Sequence, residues 1–257
     1  MTQQINLNAD MGESFGKWKI GNDAELIKII RSANVACGFH AGDATVMAET
    51  VNLALKNGAS IGAHPGFNDI WGFGRRQIQM NAQDLEYMIT YQIGALQALA
   101  GAIGAKVTHV KPHGALNNMA HHEEAIAQAI ARGIRAADRE LIFVANACSE
   151  MVKAGHKLGL KVAEEAYVDR TYSETGLMTS RSLPGAMITD PAQAARQVLA
   201  MLEEQAIITP SGKRIPAAIR SFCTHGDEPT AVAVASHVRV ELEKNGIAVV
   251  PLTEMSF

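Results

Sequence analysis

The chain has 257 residues, 47% of them hydrophobic and 19% charged, with a formal net charge of −3. This suits one soluble domain, expected over 1–257, and gives no electrostatic footprint for nucleic acid or an anionic membrane surface. Aromatic residues, at 5%, are too few for a base-stacking platform, and no apolar run approaches the roughly 20 residues that span a bilayer.

The opening "MTQQINLNADMGES" lacks the basic and apolar regions of a signal peptide. Cys37, Cys148 and Cys223 form neither a C-x-x-C pair nor a disulfide framework, so a reduced, cytoplasmic setting is expected. In chain order, "INLNAD" (5–10) alternates as a strand, and 23–33 has helical spacing. A strand "NVACGF" (34–39) follows, then a helix that Asp43 caps and Gly58 stops. Strand 59–64 precedes the longest helix, 81–104. Next come strand 106–111, helix 122–137, strand 141–146, helix 147–158 and strand 160–169. Helix 191–205, strand 218–225, helix 228–244 and "GIAVVPL" complete the series.

Strands alternating with helices imply crossover units and a parallel sheet. Seven or eight such units in this length suit a closed β/α barrel, with a doubly wound open sheet as the alternative. In either fold the residues just past the strand ends build the site. Here those places hold Asp10 and Glu13, His40 and Asp43, His64, then Lys111, His113 and Asn117. Further on they hold Asn146, Glu164, Glu165, Asp169 and Arg170, and finally His225 and Asp227. Any one of these alone reads as structural; their convergence on one face points to a site.

Period-2 alternation puts Asn6, Asn8 and Asp10 inside the barrel, and Ile5, Leu7 and Ala9 against the helices. It also turns Lys111 inward, where an ammonium needs a partner such as Asp10, Glu164 or Glu165. Asp10, His40, His64, His113 and His225 are candidate metal ligands, with Asp10, His40 and His64 preferred. A divalent metal is allowed but not required. His109 and His113 are too far apart along a strand to share an ion unless Pro112 bends the chain. No phosphate loop and no G-x-G-x-x-G is present. Arg76 in "GFGRR" and Arg181 in "LMTSRSLPGA" are candidate carboxylate or phosphate clamps. We take Asp10, His40, His64, Lys111 and His113 as candidate catalytic groups. The candidate substrate-binding groups are Arg76, Arg181, Glu165, His225 and Asp227.

The stretches "LNADMGESFG", "NVACGFHAGD", "GAHPGF…GFGRR", "VKPHGALNN", "DRTYSETGLMTSR" and "CTHGDEPTAV" resemble the LamB/YcsF family, in order and from about Asn6 to near the end of the sequence. One departure is Asn117–Asn118 after Leu116, where many members have Tyr-Asn. The resemblance implies a distorted parallel β/α barrel like that of the glycoside hydrolases and deacetylases. It implies the role of the A subunit in an ATP-dependent 5-oxoprolinase, opening 5-oxo-L-proline (pyroglutamate) to L-glutamate. It also implies partner subunits B and C. With no phosphate loop in this chain, ATP is expected to be bound by or with those partners. Two rivals remain: a stand-alone metal-dependent deacetylase or amidohydrolase on the same barrel, and a non-catalytic carrier of the lactam.

Overall fold

In the computed structural model, which describes residues 3–224 and 230–257, seven parallel strands close into a barrel. The strands are β1 (Gln4–Met11), β2 (Ser32–Ala36), β3 (Ser60–His64), β4 (Val107–Val110), β5 (Ile142–Asn146), β6 (Lys161–Tyr167), the hairpin β7 (Ala206–Ile208) and β8 (Arg214–Pro216), β9 (Ile219–Thr224) and β10 (Ala248–Val249). Closure runs through β1, which pairs with β2 from Asn8↔Ser32 to Met11↔Val35 and with β9 from Asn6↔Ser221 to Ala9↔Thr224. β10 pairs only with Gln4 and Ile5, beside the ring rather than in it. The open-sheet alternative is thereby excluded, and the hairpin β7–β8 lies outside the barrel.

The helices are α1 (Asp23–Leu26), α2 (Ala44–Lys56), α3 (Ala82–Ala102), α4 (Gly114–His122), α5 (Glu124–Ala137), α6 (Glu150–Lys157), α7 (Pro191–Glu204) and α8 (Ala231–Lys244). Asp43 caps α2 by accepting from the Thr45 and Val46 N–H groups, 2.9 Å each. Asp190 caps α7 ahead of Pro191, a residue that leaves no orphan N–H at a first helical turn. The helix expected over 23–33 is cut to its first turn, because Ser32 and Ala33 pair with β1 and β3 instead. The expected loop after β4 is itself helical: Gly114, at φ +53°, opens α4.

Apolar side chains fill the shell between barrel and helices. Val46, Val51 and Ala54 of α2, Leu85, Ile89 and Leu96 of α3, and Ile130 and Ile134 of α5 are buried there. Each large aliphatic contributes about 1.5–3 kcal/mol by leaving water. The barrel interior is polar and stacked in layers. In the lowest layer Asn6 donates to Ser32 Oγ and accepts from Ser221 Oγ, both at 2.8 Å, and Ser32 meets Ser60 at 2.7 Å. In the next, Asn8 donates to Glu165 Oε1 (2.8 Å), Asn34 donates to Asn8 Oδ1 (2.7 Å), and His109 Nε2 lies 3.1 Å from Asn34 Oδ1. His109 needs Gly62 opposite it: a Cβ there would sit 2.2 Å from the imidazole. Such a network is stable only when nearly every member is paired.

Candidate active site

The top layer of the barrel holds a buried ammonium. Lys111 Nζ donates to Asp10 Oδ1 at 2.6 Å and to Cys223 Sγ at 3.0 Å, and lies 3.6 Å from Glu165 Oε2. Burial by itself would lower the lysine pKa. The charge of Asp10, followed by the Cys223 and Glu165 groups, outweighs it and holds the pKa well above its ordinary value. The Cys223 thiol and Tyr167 phenol are pushed well up, chiefly by burial, and stay neutral. Burial also raises Glu165, against the pull of Lys111. Asp10 and Glu165 are therefore the partners that the lysine needs. Glu164 points elsewhere, half-buried near Arg220 and His156.

Beside this cluster stand three imidazoles and a carboxylate. Glu13, His40, His64 and His113 each offer one donor atom, and the four atoms lie within 4.8 Å of one another. His64 Nδ1 faces the Lys111 carbonyl at 2.7 Å, and His113 Nε2 faces the Phe73 carbonyl at 2.8 Å. A carbonyl only accepts, so those nitrogens carry the protons. The opposite nitrogens, His64 Nε2 and His113 Nδ1, meet at 3.0 Å. Glu13 Oε1 is 3.1 Å from His40 Nε2 and 3.4 Å from His113 Nδ1. The His40 and His113 rings stack at 3.6 Å. Burial first, then neighbouring imidazoles, lowers both pKa values well below the usual histidine range. Gly74 permits this packing: a Cβ on it would lie 2.7 Å from His40 Cβ, and its φ of +60° suits glycine.

Asp10, His64, Lys111 and His113 face a cavity of about 590 Å³ whose other wall carries Arg75, Arg170 and Arg181. Arg170 is buried and donates to the Thr179 carbonyl, while its Nε has no hydrogen-bond partner among the described residues. A second cavity of about 340 Å³ lies at the opposite end of the barrel, where Lys161 is already paired with Glu140 at 2.9 Å.

Four of the five candidate catalytic residues, Asp10, His64, Lys111 and His113, thus line one cavity, while the fifth, His40, is buried against His113. Of the preferred metal ligands, His40 and His64 belong to the converging quartet. Asp10 stands just behind, with Oδ2 3.3 Å from His64 Nε2, while Glu13 and His113 complete the set. His109 lies below, in the polar layer with Asn34. Arg181 lines the cavity. Arg76 does not: it is held in an ion pair by Asp69, and its neighbour Arg75 faces the cavity instead. Glu165 lies beneath Lys111 rather than on the cavity wall. His225 and Asp227 fall outside the described residues. The residues that sequence reasoning left without a role are Glu13, Arg75, Tyr167 and Cys223. Glu13 was within reach, since it stands three residues after Asp10 in a strand-end stretch.

A sequence profile of the LamB/YcsF family matches residues 5–257. The chain belongs to the LamB/YcsF family. It is 50% identical over 248 residues to a protein of Rhodopseudomonas palustris (strain BisB18) named as the A subunit of 5-oxoprolinase, an overlap that covers 96% of this chain and 97% of that one. The crystal structure of a lactam utilization protein from Thermus thermophilus superposes with a TM-score of 0.91 at 40% identity, covering 97% of this chain and all of the other. The catalytic domain of a peptidoglycan N-acetylglucosamine deacetylase from Eubacterium rectale shares the barrel, with a TM-score of 0.54 at 12% identity over all of this chain and 91% of that one. At that identity the likeness concerns the fold alone. Among the described residues, no helix is long and apolar enough to cross a membrane.

Proposed function

We propose that this chain is the A subunit of an ATP-dependent 5-oxoprolinase, working in the cytoplasm with partner subunits B and C to convert 5-oxo-L-proline to L-glutamate. The observation that carries this reading is the 50% identity, across 96% of the chain, to a protein bearing that subunit's name. A lactam C–N bond has partial double-bond character and resists water. Transfer of the terminal phosphoryl group of ATP to the lactam oxygen, with release of ADP, leaves a ring carbon open to attack. Water adds there, and the C–N bond breaks with its electron pair passing to nitrogen, which takes a proton. A second water releases phosphate.

The site suits such a substrate. A phosphorylated oxoproline carries a carboxylate and a phosphate, and the cavity wall carries Arg75, Arg170 and Arg181. The Lys111 ammonium, fixed by Asp10, stands where negative charge on the lactam oxygen needs a cation. Asp10, His64 and His113 form the wall that orients water toward the ring carbon, with His40 stacked on His113. No phosphate loop occurs in the sequence, so ATP binding falls to the partners or to their junction with this chain.

The test measures glutamate and ADP formed from 5-oxo-L-proline and ATP by this chain with both partners, each component being omitted in turn. Turnover is expected only in the complete mixture, and this chain alone is expected to leave ATP intact. Full-rate glutamate formation without this chain overturns the proposal. Hydrolysis of an acetylated sugar by the isolated chain would establish the deacetylase alternative in its place.

A further inference from the structure

The geometry points to a mononuclear divalent metal site formed by Glu13, His40, His64 and His113, selective for transition metals of the zinc class. The Lys111 carbonyl takes the N–H of His64, and the Phe73 carbonyl takes that of His113. Each neutral ring then turns a lone pair inward. Those two lone pairs face each other at 3.0 Å, and that of His113 also faces Glu13 Oε1 at 3.4 Å. Acceptors held this close repel unless something positive lies between them. Ligands on a tetrahedral ion with bonds of about 2.0–2.1 Å stand roughly 3.3 Å apart, close to three of the spacings here, 3.0, 3.1 and 3.4 Å, in a set whose four atoms all lie within 4.8 Å of one another.

Two further features fit a cation. Carbonyl acceptance at the far nitrogen is the arrangement that fixes the tautomer of metal-binding histidines. Among the described residues His40 Nδ1 is buried without a hydrogen-bond partner, and the side-chain hydrogen bond of His40 is the one to Glu13. Three imidazole nitrogens and one carboxylate favour zinc, cobalt, nickel or iron over magnesium or calcium, which prefer all-oxygen sets. The rival occupant is a proton, carried on His64 Nε2 and shared with His113 Nδ1.

The lysine cluster is a poor rival site, because an ammonium already stands between Asp10 and Glu165. The exposed aromatic patch around Tyr87 and Tyr91 shows nothing of what would cover it.

The experiment loads the purified full-length chain with Zn²⁺ or Co²⁺, removes free metal by gel filtration, and measures metal per folded chain. About one ion per chain is expected, with the visible absorption of low-coordinate Co²⁺ in the cobalt form. Glu13→Gln and His113→Asn, each checked by circular dichroism, should weaken binding by at least about 10–100-fold, whereas His156→Ala on α6 should not. Retention below a tenth of an equivalent by the folded wild-type chain overturns the inference. So does stoichiometric binding that survives the Glu13→Gln/His113→Asn double variant. If the variants unfold, ¹⁵N spectra of the wild-type imidazoles decide: metal-induced shifts at His64 Nε2 and His113 Nδ1 support the site, and a shared proton indifferent to metal sinks it.

Discussion

Lys111 and His113 stand two residues apart in sequence, yet they serve adjacent buried clusters of opposite electrical character. Around Lys111, one cation sits among Asp10, Glu165 and Cys223, and the charges are matched within the protein. Around His113, the lone pairs of His64 and His113 face each other beside Glu13 and His40, and among the described residues no positive group stands between them. The turn at Pro112 and Gly114 separates the two: Lys111 continues the inward face of β4, while His113 leads into α4. The first cluster is complete in the folded chain. The second is where the inferred ion would sit, and both share one wall through the 3.3 Å contact of Asp10 with His64.

The strongest way to break this contrast is to remove the lysine. Lys111→Met leaves Asp10 and Glu165 buried without their cation, which typically costs about 3–5 kcal/mol. Turnover in the complete oxoprolinase mixture should fall at least about 10²–10³-fold. Adding Glu165→Gln should restore part of the stability and none of the activity. Chemical denaturation decides this, and a loss below about 1 kcal/mol would mean that Asp10 and Glu165 do not both carry charge in the fold.

Acid stability offers a control outside both clusters. His121 of α4 is buried, and burial first, then His122, lowers its pKa from 6.5 to about 4. The unfolded chain therefore binds more protons between these values. Stability from this residue is fully present above pH 6.5 and is lost as pH falls toward 4, by about 3 kcal/mol in all. His121→Gln should flatten most of that fall in unfolding free energy as the pH is lowered from neutrality toward 4. An unchanged slope would show that His121 is already protonated or hydrated in the native state.

Metal addition should then distinguish the clusters directly. An ion bound only by the folded state at a hundred times its dissociation constant stabilises by about 2.7 kcal/mol. Wild-type protein should gain that much with Zn²⁺ and lose it to a chelator. Glu13→Gln should gain little, whereas Glu165→Gln should respond like wild type. A thermal shift that survives Glu13→Gln places the ion elsewhere.

What the sequence revealed follows the same physical divide. Strand alternation is a local property, so Asn6, Asn8 and Asp10 could be turned inward from their spacing alone, as could Lys111. The strand-end histidines were legible because βα loops at that end of a barrel carry chemistry. Glu13 received no role because strand periodicity ends at Gly12, whose φ of +67° redirects the chain. Gly62 gives no sign in the sequence that it makes room for His109 on the next strand, since that contact depends on barrel closure and register. The same limit holds for α1, where pairing of Ser32 and Ala33 with both neighbouring strands overrode helical spacing.

The arginines give the finest test of position against charge. Arg76 and Arg75 are adjacent and chemically alike, and only the fold separates them. Arg76 is matched within the protein by Asp69, whose pKa this hydrogen bond brings down to about 2, and the arginine side chain is 66% exposed. Arg181 faces the cavity, where the proposed substrate brings its own anions. A hydrogen bond to a charged group is typically worth about 1.5–3 kcal/mol, so Arg181→Ala should raise KM for oxoproline about 10–100-fold in the complete mixture. Its melting temperature should scarcely change. Arg76→Ala should leave KM within about twofold but lower the melting temperature, because the buried Asp69 carboxylate keeps the Gly72 N–H and loses its cation. Measuring both variants side by side decides whether position or charge matters: a KM defect confined to Arg76→Ala would show that its pairing with Asp69 gives way to substrate, and that the clamp lies on that side of the cavity mouth.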